Sequence, residues 1–583
     1  MLTRRRFLRR SLEAGLAAAA PIGLGAPLSG CARAISAPAG SGDVLVNHVG
    51  FTPAAAKFCL LAGNNATPFS VLDRSSSKVV QQGTLAVQHG DLGDFLVGDF
   101  SDLEQAGQYE VRVGDRTAAP FSISPDVCSD GIAKCVGYFA RQRCGNSQSG
   151  HHAPCHLDDG RRSDNGQHQD ATGGWHDACD LRKWVDATIY GMIGLSRVLD
   201  LSSSHGTDRD RIIDEMRWGD GYFHRMQEPD GFVMDYCGGD DGNRYTDNQI
   251  GSGDDRTIHV EPCILPAQFH FVAAQAAMAR HVRDSDPDYA KACESAAERC
   301  LDWCVKNRSP GAATSLAAGI IACVELHRTT GDDRLKDRAA EFMGRLLALQ
   351  VTTADGDSPT GFFNAAPDKL EPSREIQHGN LPLIAMCEAI EQFKNHEKVG
   401  NWRQALGSHC EYLSGMASRS VFGTVPYGLY SGGDPGSHRR IGRYWYRWFM
   451  PRRGETAAAD WWVGVNAHLA SNGVGLARAA RVLQDPKLAV LAQRQLDWVL
   501  GVNPFNASWV TDVGRNQPKL YRSGQFAPPT PLIAGGVMNG IGGDDEDRPV
   551  LEPGSWNTCE YWTPMVAYVM WLMAELQNAA VPV

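Results

Sequence analysis

The order of hydrophobic and polar positions divides the chain into two parts, of which the first is β-like. From residue 44 to about residue 124, short runs alternate apolar and polar positions, as in 109–113 and 121–124, with turn residues between the runs. Such alternation is typical of strands with one buried face. A stretch of about 80 residues with this pattern predicts an immunoglobulin-like β-sandwich over residues 43–125.

The hydrophobic spacing changes after Gly131 to steps of three and four, which indicates amphipathic helices. The first such run is Leu181, Trp184, Val185, Thr188, Ile189, Met192, Leu195 and Leu199. Similar runs cover 268–282, 288–306, 315–327, 332–350, 381–393, 401–417, 463–483, 487–500 and 564–577. This periodicity predicts an all-α domain over residues 130–580, with ten or so helices joined by long loops.

Residues 1–31 have the features of an export signal rather than of a folded element. Residues 3–9 match the twin-arginine consensus, an Ala- and Gly-rich apolar stretch follows, and residues 28–31 resemble a bacterial lipobox that ends at Cys31. We therefore expect a protein outside the cytoplasm, anchored through lipid on Cys31. The alternative is an exported protein in which Cys31 occurs by chance. No later segment has the ~18 uninterrupted apolar residues that a membrane span needs.

Charge and cysteine content narrow the class of protein only a little. The net charge of −11 gives no basic field for nucleic acid, which is not expected as a partner. Several of the 16 cysteines, such as Cys300, Cys304, Cys323 and Cys387, lie in helical patterns, where cysteine commonly serves as a small buried hydrophobe. Disulfides are therefore not required, and free thiols remain available for a metal.

The most informative segment is residues 173–184, which read Gly-Gly-Trp-His-Asp-Ala-Cys-Asp-Leu-Arg-Lys-Trp. Asp177 and Asp180 are three positions apart, and at the start of a helix both carboxylates would be held ionised by the helix dipole. An ionised pair that shares a water is what a general base for hydrolysis requires. The alternative is ordinary helix capping by aspartate.

This segment resembles the signature of glycoside hydrolase family 9, the cellulase-like family, with Cys179 in place of the usual glycine. Residues 143–145, 154–159, 46–51, 500–504 and 557–562 also resemble family segments and occur in the family's order, so the resemblance covers nearly the whole mature chain. It implies an N-terminal immunoglobulin-like sandwich followed by an (α/α)₆ barrel, and hydrolysis with inversion. No cofactor is implied for catalysis.

The resemblance also implies the catalytic residues. Asp180 matches the general base, Asp177 the partner that helps to hold the attacking water, and Glu560 the general acid that protonates the leaving oxygen. Burial or a neighbouring carboxylate would have to raise the pKa of Glu560 for this role. The alternatives are that Glu560 caps a helix, or that Glu552 is the acid.

Cys144, Cys155, His156 and His176 supply two thiolates and two imidazoles, the ligand set of a closed tetrahedral zinc site. Their spacing alone is weak evidence, and the alternative is four unrelated buried residues. Some family members resemble this pattern and carry a structural zinc at the matching positions, so we expect zinc here. Calcium is also common in the family, but the sequence does not assign its ligands.

Tyr521, Arg522 and Trp175 are the residues predicted to contact substrate. Residues 517–522 occupy the place where typical family cellulases carry Pro-His-His-Arg; Arg522 matches the arginine, whereas Leu520 and Tyr521 replace the histidines. We therefore predict an inverting hydrolase of β-linked glucan or hemicellulose oligosaccharides, acting as a monomer. The alternatives are an exo-acting β-glucosaminidase-like enzyme, a non-catalytic glycan-binding surface lipoprotein and, less well matched, a polysaccharide lyase.

Overall fold

A computed structural model describes residues 35–36, 42–145, 152–201, 207–239, 245–452, 461–521 and 533–578. The export segment with Cys31, and Arg522, lie outside the described residues. Within the described part, no helix is long and apolar enough to cross a membrane.

The N-terminal part is a β-sandwich. The first strand, β1 (Ile35–Ser36), lies outside this sandwich. The strands of the sandwich are β2 (Gly50–Phe51), β3 (Phe58–Ala62), β4 (Thr67–Asp73), β5 (Lys78–Gln88), β6 (Phe95–Asp99), β7 (Gly107–Val113), β8 (Arg116–Thr117) and β9 (Phe121–Ile123). They pair in the order β2-β9-β7-β4-β5-β6-β3, with β8 on β7. The long β5 pairs with β4 through its first part and with β6 through its last residues, so it joins the two layers. Phe51, Phe69, Val71, Val111 and Phe121 form part of the core between them.

The remainder of the described chain is mainly helical. The helices are α1 (Ser129–Gln142), α2 (Val185–Leu201), α3 (Thr207–Arg225), α4 (Leu265–Val282), α5 (Pro287–Asn307), α6 (Ala313–Thr330), α7 (Asp333–Leu347), α8 (Leu381–Gln392), α9 (Val399–Ala417), α10 (Asn466–Leu483), α11 (Pro486–Val499), α12 (Trp556–Cys559) and α13 (Thr563–Asn578).

Six of these helices form a closed inner ring. Each packs on the next in the order α2, α4, α6, α8, α10 and α13, and α13 returns to α2. The second ring consists of α3, α5, α7, α9, α11 and α1, which pack outside α2, α4, α6, α8, α10 and α13 respectively. The inner helices are buried on almost all sides, whereas α7 buries one face only. The predicted sandwich followed by an (α/α)₆ barrel is confirmed.

Buried ion pairs connect the inner helices near their C-terminal ends. Each inner helix contributes one residue to the set Arg197, Arg280, Glu325, Glu388, Arg478 and Glu575. We call this set the ion-pair ring. Because all six residues lie towards the C-terminal ends of their helices, the inner helices run parallel to one another. Their N-terminal ends therefore share the opposite rim of the barrel.

Short strands in the loops of the helical domain complete the fold. They are β10 (Arg161–Arg162), β11 (Lys183–Trp184), β12 (Met234–Gly238), β13 (Thr257–Pro262), β14 (Asn364–Ala366), β15 (Lys369–Pro372), β16 (Gly428–Tyr430), β17 (Arg440–Ile441), β18 (Tyr444–Arg447), β19 (Gly542–Gly543) and β20 (Pro549–Leu551). One sheet, in the order β10-β13-β12-β11, lies directly before α2 and α4 at the N-terminal rim.

Candidate active site

Three carboxyl groups meet at the N-terminal rim of the barrel, two from a segment early in the sequence of the helical domain and one from a segment near its end. Asp177 and Asp180 lie in the turn before β11, and Glu560 lies between α12 and α13. The backbone N–H of Cys179 donates to Glu560 Oε1 at 3.2 Å. The carbonyl of Asp177 accepts from the backbone N–H of Thr563 at 2.9 Å, at the start of α13. Because α2 and α13 close the inner ring side by side, the segments before them are adjacent.

The structure corrects the expected position of the two aspartates relative to the helix. We expected them at a helix N-terminus, but α2 begins only at Val185 and β11 lies between. They belong instead to a tight turn: the N–H of Asp177 donates to the Arg182 carbonyl at 2.9 Å, and Leu181 has a positive φ of 62°. The turn geometry, not a helix dipole, therefore brings Asp177 and Asp180 together.

The three carboxyl groups differ in their surroundings. Burial raises the pKa of Asp177 well above its usual value, and the charges of Asp180 and Glu560 raise it further. Burial also raises the pKa of Glu560 well above its usual value, with a further contribution from the charge of Asp180. The side chain of Asp180 is 30% exposed and lies 3.3 Å from Arg182 Nη1. Burial and like charge therefore disfavour ionisation of Asp177 and Glu560, whereas Asp180 is partly exposed and lies beside Arg182.

The hydrogen bonds of Asp177 hold one of its oxygens and leave the other available. The indole N–H of Trp562 donates to Oδ2 of Asp177 at 3.1 Å. Its Oδ1 is buried and has no hydrogen-bond partner among the described residues. Burial and the neighbouring charge of Asp180 disfavour the ionised form of Asp177, which differs from the expectation that both aspartates are held ionised.

The four predicted metal ligands form one buried cluster immediately before this turn. The ligand atoms of Cys144, Cys155, His156 and His176 all lie within 4.8 Å of one another. Sγ of Cys144 is 3.5 Å from Nδ1 of His156, and Sγ of Cys155 is 3.8 Å from Nε2 of His176. A tetrahedral zinc with Zn–S of ~2.3 Å and Zn–N of ~2.0–2.1 Å would separate its ligands by about 3.3–3.8 Å. The cluster is therefore suited to hold a metal ion, and His176 connects it directly to Asp177.

One residue that the sequence analysis missed joins this cluster to the turn. Arg256 is almost fully buried and donates to both carboxylate oxygens of Asp159, at 2.7 and 2.6 Å. It also donates to the Leu181 carbonyl at 2.6 Å and to Sγ of Cys144 at 3.4 Å. Lys183, fully buried, pairs with the same Asp159 at 2.7 Å. Arg256 lies in a polar loop, Asp-Asp-Arg-Thr, whose sequence gives no indication of burial.

The predicted substrate contacts have different outcomes. Tyr521 lies beside the carboxyl groups, because its carbonyl accepts from Sγ of Cys179 at 3.3 Å. Trp175, in contrast, has no exposed surface, and its indole N–H donates to Glu215 at 2.7 Å while its ring packs on Phe139. The prediction that Trp175 contacts substrate is corrected: no ring face is open to a sugar. The structure gives no position for Arg522.

The fold and these carboxyl groups define a class: a helical-barrel glycoside hydrolase. Residues 129–573 match the model of glycosyl hydrolase family 9, and residues 39–118 match the cellulase N-terminal Ig-like domain. The chain therefore belongs to glycoside hydrolase family 9.

Curated relatives and solved structures agree with this membership. Endoglucanase D of Acetivibrio thermocellus is 27% identical over 349 residues, which are 52% of this chain and 55% of that protein. Endoglucanase C of Cellulomonas fimi is 25% identical over 577 residues, 85% of this chain and 47% of that protein. A Butyrivibrio fibrisolvens cellodextrinase is 33% identical over 180 residues, 27% of this chain and 32% of that protein. The chain thus spans about half the length of the curated relatives that it matches first.

The solved structures show the same fold. A Bacteroides ovatus family 9 protein has a TM-score of 0.69 at 19% identity, covering 93% of this chain and 100% of that one. A zinc-binding triple mutant of a family 9 endoglucanase has a TM-score of 0.66 at 20% identity, covering 90% of this chain and 99% of that one.

Proposed function

We propose that this protein hydrolyses β-1,4-linked gluco-oligosaccharides with inversion at the anomeric carbon. The observation that carries the proposal is the proximity of the carboxyl groups of Asp177, Asp180 and Glu560. The backbone N–H of Cys179, between the two aspartates, donates a hydrogen bond to Glu560. Endoglucanases and a cellodextrinase among the relatives support the substrate class. Leu520 and Tyr521, in place of the family's two cleft histidines, favour short chains over crystalline cellulose.

Each carboxyl group has a distinct role in the proposed reaction. Asp180, partly exposed and next to Arg182, takes a proton from the attacking water. The unpartnered Oδ1 of Asp177 orients that water, while Trp562 fixes the other oxygen. Glu560 stays protonated because it is buried beside Asp180, and it donates its proton to the leaving oxygen. An inverting pair needs a separation of ~6.5–9.5 Å, which leaves room for the water.

The test is a panel of soluble β-glycans with the products resolved by chain length and by anomeric configuration. We expect cello-oligosaccharides to be cleaved, and ¹H NMR to show the α-anomer as the first product. Asp180→Asn should lower kcat by a factor of ~10²–10⁴, the usual contribution of one general base. A first product in the β-configuration would exclude inversion. Cleavage of glucosamine oligomers alone would show that the substrate is an amino-sugar oligomer instead.

We also propose that Cys144, Cys155, His156 and His176 bind a structural zinc ion. The buried two-thiolate, two-imidazole set fits zinc, and hydrogen bonding from Cys144 lowers the pKa of Cys155 to about 5, which favours the thiolate that zinc binds. Bound zinc would fix His176 and so the turn that starts at Asp177. Cys155→Ser should lower both the bound zinc and the melting temperature; unchanged metal content would contradict the assignment. Cys410→Ser, a buried cysteine outside the cluster, is the control.

We propose, finally, that the protein is exported by the twin-arginine route and anchored through lipid at Cys31, as a monomer. The arginine motif and the lipobox-like residues 28–31 support this. Cys31→Ser should move the protein from the membrane fraction to the soluble exported fraction and abolish labelling by radioactive palmitate. An unchanged membrane fraction would contradict the anchor.

A further inference from the structure

A second group of potential metal ligands lies on two helices of the outer ring and shares no residue with the Cys/His cluster. Asp220 and His224 are four positions apart on α3, and Cys293 lies on α5. Residues four apart share one face of a helix, so the same face of α3 carries both side chains towards α5. We call Asp220, His224 and Cys293 the outer-ring cluster.

The separations of the three ligand atoms match those around one zinc ion. Oδ2 of Asp220 is 3.3 Å from Nε2 of His224 and 3.5 Å from Sγ of Cys293. Nε2 of His224 is 3.7 Å from Sγ of Cys293. A tetrahedral zinc with Zn–S of ~2.3 Å, Zn–N of ~2.0–2.1 Å and Zn–O of ~2.0–2.2 Å would place such ligands about 3.3–3.7 Å apart. The three atoms therefore fit one ion with little movement of the side chains.

Hydrogen bonds from neighbouring helices orient the carboxylate of the cluster. Asp220 has no exposed surface. Gln275, on α4, donates to its Oδ1, and the hydroxyl of Tyr289, on α5, donates to its Oδ2 at 2.6 Å. Such outer contacts hold metal-binding carboxylates in place. Among the described residues, no lysine or arginine forms an ion pair with Asp220, so a bound metal ion would compensate a buried negative charge.

We propose that Asp220, His224 and Cys293 bind a zinc ion. The thiolate and the imidazole are donors that zinc accepts and that calcium and magnesium do not favour, and the carboxylate completes a set of three. The side chain of His224 is 26% exposed, whereas Asp220 and Cys293 are buried, so the ion would enter past His224. Three protein ligands leave the fourth tetrahedral position to a water molecule.

The ion would join α3 to α5 next to the segment that carries the two aspartates of the active site. Both helices pack on α4, and zinc would connect them directly. Another face of α3 contacts residues 173–184: Trp218 donates to the carbonyl of Gly174 at 2.9 Å, and Tyr222 donates to the carbonyl of Lys183 at 2.7 Å. We therefore expect zinc to stabilise the part of α3 that supports this segment.

The test is the zinc content of the purified protein, freed of unbound metal and measured by inductively coupled plasma mass spectrometry. With the Cys/His cluster filled, wild type should hold about two zinc ions per chain and His224→Gln about one, because a ligand is lost. His327→Gln is the matched control, since it changes a histidine on α6 whose side chain is 17% exposed, and it should keep the wild-type content. Equal zinc contents of wild type and His224→Gln would overturn the proposal.

A second pair of variants separates this site from the Cys/His cluster. Cys293→Ser should remove about one zinc ion per chain both from wild type and from Cys155→Ser, because the two sites share no ligand. A loss from wild type but not from Cys155→Ser would show that the substitution acts through the Cys/His cluster, and would also overturn the proposal. Circular dichroism checks folding, and His224→Gln, at the partly exposed ligand, serves in this comparison if Cys293→Ser does not fold.

The melting temperature provides a readout that does not depend on counting ions. ZnCl₂ added to metal-depleted Cys155→Ser should raise its melting temperature, because zinc binds the folded state. The rise should be absent when His224→Gln is added to Cys155→Ser and unchanged when His327→Gln is added. An equal rise in all three proteins would show that zinc stabilises the protein elsewhere.

Discussion

The proposed acid role of Glu560 depends on where its carboxyl lies rather than on its neighbours in sequence. It is buried, it lies close to the charge of Asp180, and its Oε1 accepts from the backbone N–H of Cys179. Glu552, the rival from the sequence, forms an ion pair with Arg452 at 2.8 Å instead. The two glutamates differ in surroundings, which the sequence does not show.

Glu560→Gln should lower kcat by ~10²–10⁴-fold on oligosaccharides, because the leaving oxygen is no longer protonated. It should lower kcat far less on an aryl glycoside whose leaving group needs no proton. Kinetics on the two substrates measure the difference, with Glu552→Gln as the matched control of near wild-type rate. A near wild-type rate of Glu560→Gln on the poor leaving group would contradict the acid assignment.

The pH profile of kcat/KM should be bell-shaped, and its alkaline limb should report Glu560. The reaction needs this group protonated, and its pKa is raised well above the usual ~4.3 by burial and by Asp180. Activity is therefore retained to a higher pH than an ordinary glutamic acid would allow, and it is lost as pH rises through the raised pKa. If the alkaline limb is unchanged on aryl glycosides, whose leaving group needs no proton from Glu560, that limb belongs to another group.

The stability of the folded protein, like its activity, should fall as pH rises. Asp177 and Glu560 keep protons in the folded state that the unfolded chain releases above ~4.3, so stability falls as pH rises from there towards the raised values. Replacing Asp177 by Asn or Glu560 by Gln removes this loss of stability at high pH, because the new side chain is uncharged. Asp177→Asn should thus raise the melting temperature at pH 8 relative to wild type and leave it similar at pH 4. A lower melting temperature at pH 8 would show that the Asp177 carboxyl is ionised in the folded protein.

Among the structural elements, the turn that carries Asp177 and Asp180 is held by contacts from segments distant in sequence. Arg256, before β13, contacts Asp159, Leu181 and Cys144, and Thr563, at the start of α13, contacts the Asp177 carbonyl. A turn that contains one left-handed residue, Leu181, would otherwise relax. Arg256 thus supports the turn that carries Asp177 and Asp180 through its bond to Leu181.

Arg256→Lys should lower kcat by about 10²-fold with little change in KM, because a misplacement of ~1 Å in the reacting groups costs that much. Lysine keeps the charge but cannot donate to Asp159 and Leu181 in the same fork-like geometry. Arg161→Lys is the control, since Arg161 lies nearby on β10 and makes one side-chain hydrogen bond, to Thr257. Wild-type kcat in Arg256→Lys, or an equal loss in the control, would contradict the positioning role.

The helices found from periodicity are those that bury a continuous apolar face. The inner helices α4, α6, α8, α10 and α13 all overlap predicted runs. The sequence analysis missed α1 and α3, and it began α2 at Leu181 instead of Val185. Charged residues, such as Asp210, Arg211 and Asp214, predominate in α3 because this helix covers the outside of α2, and its apolar periodicity is therefore weak.

At the scale of the whole molecule, the barrel is closed by charge as well as by apolar packing. In the ion-pair ring, Arg197 lies 2.6 Å from Glu325 and 2.7 Å from Glu388, and Arg478 lies 3.2 Å from Glu388. All four side chains are nearly or fully buried, so each charge depends on its partners. The ring ties first, middle and last inner helices together at the end opposite the active site.

Glu388→Gln should lower the free energy of unfolding by ~3–5 kcal/mol, because it leaves Arg197 and Arg478 buried with one fewer counter-charge. Denaturant unfolding measures the change, and kcat of the folded fraction should stay close to wild type. Glu341→Gln, which removes an exposed partner of Arg338 on α7, should cost ~0–1 kcal/mol. Equal effects of the two substitutions would show that the ring does not stabilise the barrel.

The sequence establishes the two-part architecture without the structure, because the hydrophobic period changes from two to 3.6 where the sandwich gives way to helices. It also indicated Asp177, Asp180, Glu560 and the Cys/His set, since these types in this order match a known family. Tertiary structure alone decided which of two glutamates is buried beside Asp180, that Trp175 is in the core, and that Arg256 supports the turn. Those properties depend on burial and on contacts between segments far apart in the chain, which no local pattern records.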